Sequence, residues 1–162
     1  MTPSLRKFML AMHLTASVGW IGAVAAYLAL GISAVASQSA QAVRAAWIAM
    51  ELIGWFVIVP MAIASFLTGI VMAVGTRWGL FRYYWVLFSF VLTAVATTFL
   101  LLHMPTVSSI ADTARETTPA ALDGLGGDLL HAGLALLVLL VITVLNVYKP
   151  EGLTPFAGRK QR

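Results

Sequence analysis

Long apolar runs alternate with short polar punctuation along this chain. Four of the runs reach or exceed the about 20 residues that carry an α-helix across a bilayer. They occupy residues 5–35, 43–74, 82–104 and 128–148. Apolar positions follow one another within each run and do not alternate with polar ones. That pattern excludes a barrel strand and leaves the helix as the way to satisfy the backbone in lipid. The first two runs are longer than one crossing needs, which predicts tilt or projection beyond the hydrocarbon. Pro60 inside the second predicts a kink. The first run is too long for a cleaved signal segment and is broken by Gly19, Trp20 and Gly22, so it is expected to stay in the protein. The expected fold is all-α, an integral membrane four-helix bundle filling residues 1–150, followed by a loosely ordered polar tail at 151–162.

The punctuation sets an orientation. With the N-terminus inside, Arg6, Lys7, Arg77, Arg82, Lys149, Arg159, Lys160 and Arg162 fall on one side and only Arg44 and Arg115 on the other. Eight cations against two place both termini in the cytoplasm of a multi-pass plasma-membrane protein. Trp78, Tyr83, Tyr84, Trp85 and Tyr148 then form an inner aromatic belt, and Trp47 marks the outer interface. The connection at 105–127 is the long one. Val107, Ile110, Ala111 and Ala114 recur in it at helical spacing, which predicts a short helix on the outer surface. The stretch from Gly124 to Gly127 is a flexible lead into the fourth helix.

Composition agrees with the pattern. The 162 residues are 60% hydrophobic and 10% charged, with a mean hydropathy of +0.93, whereas a soluble domain carries about 25% charged residues. No cysteine is present, which excludes disulfides, thiolate metal sites and iron–sulfur clusters. The net charge of +4 comes from cations at helix ends, so a nucleic-acid partner is not expected. The lipid bilayer is the expected partner.

An ionisable side chain inside a membrane is costly and marks a functional candidate. Four lie within the runs: His13, Glu51, His103 and His131. His103 is 21 residues past Arg82, roughly 30 Å along a helix. His131 enters three residues after Asp128 and Glu51 seven after Arg44, so all three sit toward the outer surface. His13 enters from inside and lies about 15–20 Å below them. Two chemistries use the outer set. Two histidines on facing helices can supply both axial ligands of a haem, with Ala96, Ala135 and Gly133 leaving room for the macrocycle. Alternatively, Glu51, His103 and His131 form a zinc or copper ligand set with an open position, or with Asp128 as a fourth ligand. His13 shares a face with Ser17 and Trp20 and marks an inner site, for which no second histidine lies at the same depth. The plainer alternatives are hydrogen bonds across helices for the histidines and pairing with Arg44 for Glu51.

The blocks HLTASVGWIGAVAAYLAL, MELIGWFVIVP, GLFRYYWVLFSFVLT and VYKPEG resemble a family of small, poorly characterised four-helix membrane proteins of high-GC Gram-positive bacteria. The spacing His13-x6-Trp20-x-Gly22 is also similar to the first helix of the copper-resistance-D membrane domain and of the membrane protoporphyrinogen oxidase. The resemblance implies haem or copper at His13.

The leading expectation is a small b-type haem protein with one or two haems, serving one-electron transfer or redox sensing. His103 and His131 ligate the outer haem, and His13 and Trp20 belong to an inner site where Arg82 faces the propionates. A quinone or a respiratory protein is the expected partner, and Gly19 and Ala23 offer a small-residue face for a homodimer. The alternatives are a haem-free zinc or copper protein, binding or transporting the ion through Glu51, His103 and His131, and an assembly subunit of a respiratory complex.

Overall fold

In a computed structural model the chain is all-helical, with four spans long and apolar enough to cross a membrane. The structure describes residues 1–76, 78–116, 118, 122 and 125–158. Arg77, Asp123, Gly124 and the cations at 159, 160 and 162 lie outside the described residues.

The first span is α1, Pro3–Ala36. Thr2 caps it by accepting the Leu5 N–H at 3.4 Å, and Pro3 occupies the first turn, where its missing N–H is not needed. The second span is a helix in three parts: α2 (Ala40–Ile53), a π-helical turn (Gly54–Ile58) and α3 (Val59–Gly75). The Ser39 hydroxyl caps it at 3.5 Å on the Ala42 N–H. Pro60 sits just past the π turn. The Val59 N–H reaches back five residues to the Gly54 carbonyl, a change of register immediately before the proline. The third span is α4, Tyr84–Glu116, and the fourth α5, Leu129–Tyr148.

The sequence places the end of the third helix near Met104, but α4 runs through Pro105 and continues to Glu116. The ring removes the hydrogen bond that the Leu101 carbonyl would receive and costs about 3 kcal/mol. Packing against α2 opposes that cost. Val107 and Ala114 are buried with Val43, Trp47 and Met50, and a side chain the size of valine contributes about 1.5 kcal/mol or more when removed from water. Polar ties add to this. Arg115 pairs with Glu51, the Arg44 Nε donates to the Ala114 carbonyl at 2.7 Å, and the Trp55 indole donates to Ser108 at 2.9 Å. The helical spacing in the long connection therefore belongs to the end of α4. Trp47, expected at the interface, lies in this packed zone at 1% exposure.

The inner face of α1 carries Ala16, Trp20, Ala23, Val24, Tyr27, Gly31 and Ala34, spaced three and four apart as one helix face requires. The opposite faces of the helices expose Phe8, Val18, Phe56, Leu102, Leu130 and Val147. Ala16, Ala23, Gly31 and Ala34 on the inner face of α1 let neighbouring helices approach, and large apolar side chains outside are the arrangement expected where lipid surrounds the bundle. Gly19, expected on a face for a second copy, points at Met61: a Cβ there would stand 3.2 Å from its sulfur.

At the other end of the molecule Trp78 packs edge-on against Tyr83 and Trp85, with ring centroids 5.4 Å apart in both pairs. The Lys149 Nζ lies 5.4 Å from the Trp78 ring centre. The segment after α5, expected to be loose, folds back beneath α4. The Tyr84 N–H donates to the Gly152 carbonyl at 3.2 Å and the Thr154 N–H to the Arg82 carbonyl at 3.0 Å. The buried Thr154 hydroxyl donates to the Phe81 carbonyl.

Candidate metal centre

The site forms where the start of α5 meets α1 and α4. Gly127 and Gly31 touch backbone to backbone. A Cβ on either glycine would collide with the carbonyl of the other. This contact brings Asp128 beside α1. Asp128 precedes α5 at the N-cap position, yet its side chain caps nothing and its backbone is left-handed, with φ 52° and ψ 30°. Aspartate tolerates this region better than most residues, but a non-glycine residue held there is uncommon. The conformation turns the carboxylate away from the helix and into the bundle.

There the carboxylate accepts three hydrogen bonds. The Tyr27 hydroxyl donates to Oδ2 at 2.8 Å and the His103 Nε2 to the same oxygen at 2.9 Å. The His131 Nδ1 donates to Oδ1 at 2.6 Å. The Asp128 side chain is 8% exposed and that of His103 18%, while that of His131 is 41% exposed at the rim. A carboxylate so buried persists only with such partners, because an unpaired charge in low dielectric is expensive. Phe99, one turn before His103, lies against both imidazoles at 5.9 and 5.7 Å between centroids. The imidazoles lie 4.2 Å apart, inclined by 34°. One ligand atom from each of His103, Asp128 and His131 lies within 4.8 Å of the other two.

Inward from this cluster runs a cavity of about 290 Å³ between α1, α4 and α5. Trp20, Val24, Ala96, Ala132 and Ala135 are among its walls, and the cluster supplies its polar end.

The structure joins His103 with His131, as their depth suggests, but places Asp128 between them and holds Glu51 elsewhere. Glu51 pairs with Arg115, which also holds Asp112 at 2.5 Å. The sequence shows Glu51 and Asp128 at similar depth without showing that an arginine 64 positions later reaches the first. Asp128-x-x-His131 was the readable signal, since residues three apart share a helix face. Tyr27 was missed altogether, although it lies seven residues past Trp20 on the same face of α1.

His13 lies 14 residues before Tyr27, about 21 Å along α1. Its Nδ1 sits 3.1 Å from the Ser65 carbonyl and 3.0 Å from the Thr68 hydroxyl. A carbonyl only accepts, so Nδ1 carries the proton. Thr68 passes its own to the Ala64 carbonyl at 2.6 Å. Ser17 and Ser65 meet alongside at 2.8 Å, and the His13 ring occupies the space that a Cβ on Gly69 would take, 3.2 Å from Cε1. His13 thus ties α1 to α3. Among the described residues no other histidine or acid joins it in a group that could hold a metal. Trp20 lines the cavity beside the His103–Asp128–His131 cluster. Arg82 stands just before α4, 21 residues from His103, with its guanidinium 5.8 Å from the Tyr83 ring.

No family model, curated protein or solved structure matches this chain. The chemistry of the site rests on its own geometry.

Proposed function

We propose that this chain is a metal-binding membrane protein whose centre is made by His103, Asp128 and His131. The observation that carries the proposal is the convergence of three ligand atoms, from α4, from α5 and from the residue before α5, within 4.8 Å of one another, about a carboxylate that stands at the N-cap position but caps nothing. Two imidazoles and a carboxylate, with no thiolate in the chain, suit zinc or copper. Three protein ligands leave a position open, and the ion would supply Lewis acidity there. Phe99 holds both rings by their faces, and the Tyr27 hydroxyl orients the carboxylate as outer partners of metal ligands do. Both termini are cytoplasmic in this reading and the membrane is the plasma membrane, on the strength of the cation bias.

The haem expected from the sequence does not fit the observed ring geometry. Trans-axial ligands must aim their nitrogens at each other across a macrocycle. Here the two imidazoles lie 4.2 Å apart and hand their nitrogens to one carboxylate, with no gap for a porphyrin between them.

The test is metal analysis of protein purified from cells supplied with zinc or copper. About one ion per chain is expected, lost in both His103→Ala and Asp128→Ala. A metal-free protein, or a Soret band in its optical spectrum, would overturn the assignment.

A further inference from the structure

The metal centre lies at one end of an apolar slot, and the slot has a direction. It follows α4 from Met104 to Leu92 and α5 from Asp128 to Leu139. The stretches span 12 and 11 residue steps, or about 18 and 16 Å of helix rise. All of the slot's charge is at the cluster, beside the start of α5 and 13 residues before the end of α4, and its far end lies toward the middle of α5. Val95, Phe99 and Leu134 line it and are at the same time exposed on the outside of the bundle. The slot therefore opens sideways through the seam between α4 and α5, where lipid lies against the protein. An amphiphile of the adjacent leaflet has the same orientation, with its head at the membrane surface and its chain toward the midplane.

Charge selects the head. A divalent ion held by one carboxylate and two neutral imidazoles leaves the centre at +1. A net charge in low dielectric is stabilised by a monoanionic partner. The apolar slot selects an anion that travels in lipid with a hydrocarbon chain. We infer that the slot binds a single-chain lipid carboxylate, a free fatty acid, whose head takes the open coordination position and whose chain lies between Ala96 on α4 and Ala135 on α5. This rests on the metal assignment above. The two small residues set the width of the slot, since a larger side chain at either would fill it.

The probe is cis-parinaric acid, a conjugated fatty acid that fluoresces in apolar surroundings, added to protein in lipid nanodiscs. Metal content is measured first, on the same samples. Zinc-loaded protein is expected to bind the probe, oleate to displace it, and oleyl alcohol to displace it about tenfold less well, a difference of 1.4 kcal/mol. Ala135→Leu and Ala96→Leu should keep the full metal content, which reports their folding, and lose the probe. Metal-loaded protein that ignores the probe, binds acid and alcohol equally, or binds the probe unchanged in both leucine variants would overturn the fatty-acid site while leaving the metal centre standing. Protein without metal in the first measurement would overturn the metal centre itself.

Discussion

Asp128→Ala in the metal-free protein tests whether the carboxylate is the keystone of the His103–Asp128–His131 cluster. The substitution leaves three donors facing an empty place. The Tyr27 hydroxyl and the His103 imidazole are buried or nearly so, and a hydrogen bond to a charged group contributes about 1.5–3 kcal/mol. His131 is 41% exposed, so water replaces its lost partner and its share falls to about 0.5–1 kcal/mol. The left-handed backbone gives nothing back, because alanine is no more at ease there than aspartate. The expected loss is about 3.5–7 kcal/mol. Tyr27→Phe removes one bond and leaves the histidines paired, for about 1.5–3 kcal/mol. Reversible unfolding in mixed micelles, with chelator present, measures both. Because the two side chains share one bond, the double variant should be less destabilised than the sum by about 1–3 kcal/mol. A loss below about 1 kcal/mol for Asp128→Ala, or strict additivity in the cycle, would refute the claim that this carboxylate organises the site.

Other substitutions separate the roles of the remaining polar residues. Glu51→Gln should leave metal content unchanged while weakening the α2–α4 contact by about 0.2–1 kcal/mol, read by the same unfolding assay; Asp128→Asn should abolish metal binding. His13→Ala should also retain the metal, and lower stability by about 0.6–2 kcal/mol through the lost tie between α1 and α3. Gly31→Ala should destabilise by about 1–3 kcal/mol by forcing α1 off the Gly127 backbone and should reduce metal affinity with it, measured by chelator competition.

The spans were legible because each is a continuous apolar run, and the pairing of His103 with His131 followed from the 1.5 Å rise of a helix and the positions where each run begins. Three features were hidden for separate reasons. The passage of α4 through Pro105 depends on packing against α2, a contact between residues about 60 positions apart that no local pattern reveals. The choice of Asp128 over Glu51 turns on the Gly31–Gly127 contact and on where Arg115 lies once α4 is extended. Trp47 has the residue type of an interfacial anchor, and the packed bundle buries it. Each time, local propensity pointed one way and a tertiary contact decided the other. Gly19 has a similar history: a small residue marks a close helix contact, and here Met61 of α3 faces it.

The segment that folds back on α4 ties membrane assembly to the order of synthesis. The Tyr84 N–H and the Arg82 carbonyl find their partners at Gly152 and Thr154, about 70 residues later in translation. At 5–20 residues per second that is a wait of about 4–14 s, during which the rest of α4 and all of α5 are made. The first turn of α4 is closed by the chain only after α5 has crossed. A chain cut after Tyr148 would keep all four spans and lack the hydrogen bonds that hold the start of α4 to the segment after α5.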